Sequence, residues 1–166
     1  MRHIISILLQ NEAGALARVA AMFATRGYNI ESLNVAPTDD AQVSRLTLVT
    51  VGSDQVIAQI NKQLLKLVDV VRTADMTQGD HIERELLLLK LQLNDENRAR
   101  IHELVRQEGA RVLHDADAGY TVELTGAANR IDQFINRAAA HADVVRVVRS
   151  GPLAVTRGSP APVVTS

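Results

Sequence analysis

Residues 11–16 combine an amide, a carboxylate and a glycine at the point where an apolar run, residues 4–9, meets a helical pattern. The first backbone N–H groups of a helix have no partner within the helix, and the helix dipole places partial positive charge there. A carboxylate or phosphate is therefore favoured at this end, and Gly14 lets a ligand approach because it has no Cβ. The segment is a candidate pocket for a small anion, although a simple helix cap at Asn11 explains the same residues.

The composition is that of a folded protein with little overall charge. Hydrophobic residues make up 46% of the chain and charged residues 22%, and the formal net charge is −1. This balance provides no overall field to attract nucleic acid or an anionic membrane. The chain has no cysteine, which removes disulfides and thiolate chemistry. It has neither the apolar segment of a signal peptide nor the long apolar run of a membrane span, so we expect a cytoplasmic protein.

The order of the predicted elements occurs twice along the chain. Hydrophobic periodicity predicts strand, helix, strand, strand, helix, strand in the first half, at residues 3–10, 14–26, 28–36, 43–51, from 54, and 68–73. The same order follows at residues 82–93, 96–107, 111–114, 120–125, around 131–138, and 144–148. Helices on one face of an antiparallel sheet in this order form the ferredoxin-like arrangement. The predicted fold class is α+β, with two tandem ferredoxin-like βαββαβ domains.

The predicted boundaries follow from polar, glycine- and proline-containing breaks. We expect a first domain at residues 1–76, a linker at 77–81, a second domain at 82–155 and a flexible tail at 156–166. Helices can bury only one face of each sheet, yet both faces of the first sheet carry apolar residues, among them Leu8, Val35, Leu46 and Leu48. Because so small a domain has little core of its own, we predict a homodimer.

Several functions that this fold supports elsewhere lack their residues here. An RNA-recognition module needs aromatic residues on its central strands, whereas the chain has two Phe and two Tyr in all. A metal chaperone would need a cysteine pair. An acylphosphatase-like enzyme would need an arginine close to its first loop, and Arg18 lies a full turn into the helix.

The histidines also give no catalytic pattern. All five are spread along the chain without metal-ligand spacing. His81, Glu83 and Glu85 could share one strand face and hold a hard metal ion, but a solvated, charged strand start is the interpretation we adopt. We therefore predict no catalytic residues and no metal site in this chain.

Three segments carry a resemblance to a known family: Asn-Glu-Ala-Gly-Ala-Leu at 11–16, Arg-Gly-Tyr-Asn-Ile-Glu-Ser-Leu at 26–33 and Val-Ala-Pro-Thr-Asp-Asp at 35–40. With residues 44–45, 59–60, 62–64, 66–70 and 83–85, they closely resemble the regulatory small subunit of acetolactate synthase, also called acetohydroxyacid synthase. The resemblance is strong to about residue 90 and returns at 150–151 and 157–158; between about 94 and 149 it rests on element order. It implies that the first half is an ACT domain, a ferredoxin-like unit that binds amino acids at a dimer interface.

The resemblance also implies a function. The chain would be a non-catalytic subunit that activates the thiamine diphosphate-dependent catalytic large subunit and confers valine feedback inhibition in branched-chain amino acid biosynthesis. Thiamine diphosphate, magnesium and FAD would belong to the catalytic partner, and this chain would carry no cofactor. The alternative is a free-standing ACT amino-acid sensor that regulates another enzyme. A small hydrolase is the rival from a different class.

With the resemblance, the first turn becomes a valine site. Backbone N–H groups near Ala13, Gly14 and Ala15 would take the valine carboxylate, Asn11 would fix the loop or bond the ligand, and Leu16 would line the apolar part.

The neighbouring protomer would complete this site. Asn29 would meet the ammonium or carboxylate of the ligand, and Ile30 would lie against its isopropyl group. The alternative explanations are that Asn29 is a turn residue after Gly27 and that Ile30 is a core residue. Asp40, Ser44 and Arg45, at the end of the predicted hairpin, are candidates for contact with the catalytic subunit, although a simple hairpin accounts for them as well.

Overall fold

The structure is a computed structural model that describes residues 1–116 and 119–158, and the chain forms two compact units. The first unit contains Met1–Ile82 and the described residues from Leu153 onward, and the second contains Glu83–Pro152. The sequence assigned residues 82–155 to one domain, whereas the strand Leu153–Thr156 groups with the first unit. Residues 117–118 of the predicted hairpin turn and residues 159–166 of the predicted tail lie outside the described residues.

The first unit has the predicted order of elements. These are β1 (Arg2–Gln10), α1 (Ala15–Thr25), β2 (Ser32–Pro37), β3 (Val43–Val51), α2 (Asp54–Leu64) and β4 (Val70–Asp75), followed by a 3-10 helix (Met76–Gln78). The four strands form an antiparallel sheet in the order β2-β3-β1-β4. The central strands are therefore β3 and β1, and β2 lies at an edge.

The second unit repeats this arrangement. Its elements are β5 (His81–Gln92), which begins in the first unit, α3 (Arg98–Glu108), β6 (Arg111–Ala116), β7 (Gly119–Gly126), α4 (Ala128–Ala139) and β8 (Asp143–Arg149). Its strands lie in the equivalent order, β6-β7-β5-β8. The predicted fold class, two tandem ferredoxin-like units, is confirmed. The last strand, β9 (Leu153–Thr156), has no counterpart in the sequence prediction.

Each core lies between the helices and one face of a sheet, because alternate strand residues point to opposite faces. On β1 the helix-facing residues are Ile5, Ile7 and Leu9, and Leu46 and Leu48 pair beside them on β3. In the second unit the corresponding core is built around Leu87, Leu89, Leu91, Tyr120, Val122, Ile131 and Phe134.

The opposite face of the first sheet is partly covered by the chain itself. Ile4 and Val49, which lie on this face, are 1% and 2% exposed. They pack against Met76 of the 3-10 helix, with Ala154 of β9 alongside. The sequence predicts that a second copy of the chain covers this sheet face. Part of the face is instead covered by Met76 and Ala154 of the same chain.

Local chemistry explains where element boundaries differ from the prediction. Helix α1 begins at Ala15 because Gly14 has a left-handed backbone, with φ of +87°. Strand β2 begins at Ser32, later than predicted, because Tyr28 turns inward and packs edge-on against Phe23 at 6.1 Å between ring centroids. The predicted linker at 77–81 is partly ordered, since the 3-10 helix occupies its start and β5 begins at His81.

Within the described ranges, no helix combines the length and apolarity that crossing a bilayer would require.

Candidate functional site: the turn before the first helix

The turn between β1 and α1 is tied to two neighbouring segments. The N–H of Gln10 donates to the carbonyl of Asp69 at 2.8 Å, and the N–H of Asn11 donates to the carbonyl of Gln42 at 2.8 Å. The Asn11 side chain donates from Nδ2 to the carbonyl of Ala41 at 3.0 Å. Asn11 thus holds the loop against the β2–β3 hairpin, which is one of the two roles that the sequence left open for it.

Gly14 occupies a position that no other residue fits well. Its φ of +87° lies in the left-handed region that side chains disfavour. A Cβ at this position would also lie 2.8 Å from Nη1 of Arg18. The guanidinium of Arg18 therefore lies directly over the glycine.

Asp69 fixes the Arg18 guanidinium in this place. Nε of Arg18 donates to Oδ2 of Asp69 at 2.5 Å and Nη2 donates to Oδ1 at 2.9 Å, a bidentate pair. Asp69 is 3% exposed. The hydrogen bonds from Arg18 lower the pKa of Asp69, and the bond to Asp69 raises the pKa of Arg18. The pair uses Nε and Nη2, so Nη1 over Gly14 remains available to an anion.

The start of α1 adds unpaired backbone donors to this charge. Among the described residues, no acceptor meets the N–H groups of Gly14, Leu16 or Ala17, whereas the N–H of Ala15 donates to the carbonyl of Glu12 at 3.3 Å. The first turn of α1 contains no acidic residue and its N-cap makes no side-chain hydrogen bond. The helix dipole, the free N–H groups and Nη1 of Arg18 together make this turn suited to a carboxylate.

The site also has an apolar side. Leu16 is 40% exposed, while its neighbour Ala15 is buried in the core. An exposed leucine beside the anion position can contact an aliphatic group of a ligand.

Asn29 and Ile30 lie at the other end of the sheet. The carbonyl of Asn29 accepts a hydrogen bond from Oγ1 of Thr50 at 2.6 Å, and Thr50 pairs with His3 near the start of β1. The turn that carries Gly14 follows the far end of β1, about 23 Å away at the usual rise per strand residue. One protomer therefore brings together residues 11–16 but keeps Asn29 and Ile30 away from them.

The three candidates for partner contact do not share a face. Asp40 is exposed and caps its own turn, where Oδ1 accepts from the N–H of Gln42 at 2.9 Å. Ser44 is 4% exposed and lies on the helix side of β3. Arg45, one residue on, points to the opposite face, where Nη1 donates to Oγ of Ser6 at 2.8 Å. Asp40 and Arg45 are open to a partner, and Ser44 is not.

Arg18 and Asp69 are the residues of this candidate site that the sequence reasoning missed. In the sequence Arg18 follows the loop by a full helical turn, but residues four apart lie on the same helix face, so its side chain returns to Gly14. Asp69 precedes β4, the strand that neighbours β1, so the sheet order brings its carboxylate to the helix start. The Arg18–Asp69 ion pair can therefore be predicted only once the order of the strands in the sheet is known.

The possible metal site at the start of β5 is not assembled. Glu85 is buried and accepts from Nε of Arg149 at 2.5 Å. In the part of the chain that the structure describes, no three His, Cys, Asp or Glu side chains come close enough together to hold an ion.

Comparison with known proteins gives the class of protein first. Residues 5–72 match the model of the acetohydroxyacid synthase small subunit-like ACT domain, so the first unit is an ACT domain. Residues 84–158 match the model of the small subunit of acetolactate synthase.

Whole-chain relatives give the particular family. The acetolactate synthase isozyme 3 small subunits of Salmonella typhimurium and Escherichia coli are each 45% identical over 158 residues, covering 95% of this chain and 97% of theirs. A crystal structure of the acetolactate synthase small subunit from Thermotoga maritima aligns with a TM-score of 0.84 at 33% identity, over 96% of this chain and 99% of that one. The chain belongs to the family of acetolactate synthase small subunits. It is a non-catalytic regulatory subunit of that enzyme.

Proposed function

We propose that this chain activates the catalytic large subunit of acetolactate synthase and lowers that activity when it binds valine. The observation that carries the proposal is the Arg18 guanidinium, fixed by Asp69 above the left-handed Gly14 at a helix start with free N–H groups. This arrangement supports the recognition of a free carboxylate. The chain would act in the cytoplasm, within branched-chain amino acid biosynthesis.

In this proposal the valine carboxylate meets the N–H groups of Gly14 and Leu16 together with Nη1 of Arg18. Ala13 and Ala15 provide backbone around the ligand, although the N–H of Ala15 is already engaged with Glu12. Asn11 acts by holding the loop, and the side chain of Leu16 contacts the isopropyl group.

A second protomer supplies the other half of the site. Asn29 and Ile30 are too far from Gly14 within one chain, so they can reach a ligand there only from a neighbouring copy. The edge strand β2 offers a seam for such a homodimer, because Leu33 is 36% and Val35 is 43% exposed on it. An unpaired edge strand with exposed apolar residues readily pairs with another chain.

Regulation follows from sharing the site between two chains. A ligand that binds one arrangement of the dimer better than another shifts the population by its differential affinity. A coupling of about 1–3 kcal/mol changes affinity roughly 5- to 150-fold. Valine would favour an arrangement that activates the catalytic subunit less. Asp40 and Arg45 are the residues we propose for that contact, and thiamine diphosphate, magnesium and FAD would reside in the catalytic partner.

The decisive experiment titrates this chain into the purified catalytic subunit while acetolactate formation is followed with and without valine. We expect stimulation without valine and a smaller stimulation with it. Absence of stimulation would contradict the proposal and favour a free-standing sensor of another enzyme.

The site itself is tested by Gly14→Asp, which places a carboxylate where the ligand carboxylate would lie. Calorimetry should show valine affinity reduced at least 100-fold, because like charges repel and the Cβ displaces Arg18. Gly79→Asp is the matched control, since Gly79 has an extended backbone and no atom within 4 Å of a Cβ there. Unchanged valine affinity in Gly14→Asp would mean that the pocket lies elsewhere.

A further inference from the structure

A cavity of about 370 Å³ opens on the sheet face of the first unit that faces away from α1 and α2. It is lined by residues of strands β1, β3, β4 and β9 and of the 3-10 helix, among them Ser6, Leu8, Arg45, Arg72, Met76 and Thr156. Its volume lies within the range of roughly 300–1,000 Å³ that is usual for small-molecule sites. The valine turn lies at a helix start, so this cavity is a separate feature.

Two arginines flank the cavity at matched positions. Leu8 on the central strand β1 pairs with Arg45 on β3 and with Arg72 on β4. Both arginines therefore point to the same face, with their Cα atoms about 10 Å apart across three strands. Arginine side chains are long enough to bring both guanidinium groups over Leu8. The hydrogen bond from Nη1 of Arg45 to Oγ of Ser6 already places one of them above β1.

These two positive charges lack a carboxylate partner within the described ranges. No ion pair joins either arginine to an acidic side chain there, and no acidic residue lines the cavity. Asp69, three residues before Arg72, is bonded by Arg18 instead. Asp39 lines a neighbouring cavity together with Arg45, but not this one. Paired guanidinium groups without counter-charges match the geometry of an oxyanion.

The rest of the lining favours a compact organic ligand. Leu8, Ala74, Met76 and Ala154 provide an apolar surface, and Ser6 and Thr156 provide hydroxyl groups. Polar groups of this kind fix orientation, while apolar walls hold the remainder of a ligand.

We infer that this cavity binds a small organic acid or phosphate ester, whose oxyanion is held between Arg45 and Arg72. The aliphatic part of the ligand lies against Leu8 and Met76. Because β9 forms one wall, the ligand would also hold this strand against the sheet. The inference does not depend on the valine site, which lies on the other side of the sheet.

Calorimetry of the full chain at low ionic strength tests the inference with two probes, sodium phosphate and sodium butyrate. Either probe should bind wild-type protein, and the preference between them identifies which oxyanion the cavity takes. Arg72→Gln should weaken binding roughly tenfold or more, since it removes a charge-assisted hydrogen-bond donor. Arg72→Lys should recover only part of the affinity, because lysine keeps the charge but not the planar fork.

Arg146→Gln is the matched control, since it removes an equivalent positive charge from the exposed strand β8 of the second unit. It should leave probe affinity within twofold of the wild-type value, and Arg72→Gln should keep wild-type valine affinity. Failure of both probes to bind, or equal weakening by Arg72→Gln and Arg146→Gln, would overturn the inference. Because Arg72 is exposed, these variants are expected to fold.

Discussion

The first helix of each unit begins in a different way, although the two units share their strand order. Before α3, Oδ1 of Asn94 accepts from the N–H groups of Glu96 at 3.1 Å and Asn97 at 2.9 Å. Oδ1 of Asn97 accepts in return from the N–H of Asn94 at 2.8 Å. These bonds order the turn and do not cap the helix itself, since neither α1 nor α3 has a side-chain cap hydrogen bond.

The difference supports the proposal that the ligand site lies on the first unit. Both units bury a similar core beneath two helices, so the fold alone does not distinguish them. The second unit orders the turn before α3 with hydrogen bonds from its own asparagines. The first unit instead has a left-handed glycine before α1 and holds the Arg18 guanidinium over it, which is an arrangement suited to an external anion.

The largest expected effect is a loss of stability when the core of either unit is truncated. It tests whether the two cores contribute equally to stability while only the turn before α1 affects valine binding. Phe23 and Phe134 are each 1% exposed in their own cores. Truncation of either to alanine should lower the free energy of unfolding by about 3–5 kcal/mol, measured by urea denaturation. Valine affinity should survive Phe134→Ala under native conditions, because the proposed pocket contains no residue of the second unit. A loss of valine binding in Phe134→Ala would break the comparison.

The next effect compares two left-handed glycines at helix ends. Gly14 and Gly109 have φ of +87° and +66°, but only at Gly14 would a Cβ meet another side chain. Alanine at either position should cost roughly 1–2 kcal/mol of stability from backbone strain. Valine affinity should fall only in Gly14→Ala, where the Cβ displaces Arg18. Equal valine affinity in the two variants, by calorimetry, would show that the Arg18 position is irrelevant to the ligand.

A smaller effect is expected in the turn that Asn94 orders before α3 of the second unit. Asn94→Ala removes the acceptor for two backbone N–H groups and should destabilise the second unit by about 1 kcal/mol. Hydrogen exchange should show faster opening at the start of α3 and none of this change in α1. An unchanged exchange rate at Glu96 and Asn97 would mean that water replaces the asparagine without loss.

The smallest effect sharpens the role of the ion pair at the first turn. Arg18 lowers the pKa of Asp69 in the folded protein, so the pair contributes stability above the unfolded carboxyl pKa of about 3.9. That contribution is lost as the pH falls through the lowered folded value. A double-mutant cycle of Arg18→Gln and Asp69→Asn should give a favourable coupling at pH 7 that disappears in strong acid. A coupling that does not change with pH would exclude an ionic pair.

Much of the fold could be predicted because alternation and helical periodicity are local properties. The strand at Val43–Val51 and its two faces follow directly from its residues, and so does the repeated order of elements. The predicted start of β2 was wrong because packing of Tyr28 on Phe23 depends on residues that only the fold brings together. The strand β9 was missed because four residues beside a proline- and glycine-containing tail give no clear period.

The sequence by itself determined the two ferredoxin-like units, the family, and the glycine turn at which a ligand carboxylate is proposed to bind. These depend on residue types and spacings within single segments. Only the tertiary structure decided which groups meet at that turn: Asp69 orients Arg18 over Gly14 because β4 lies beside β1, and Asn29 lies a sheet length away. It also decided that Arg45 and Arg72 flank one cavity beneath β9. Such meetings depend on strand order and register, which join residues far apart in the chain.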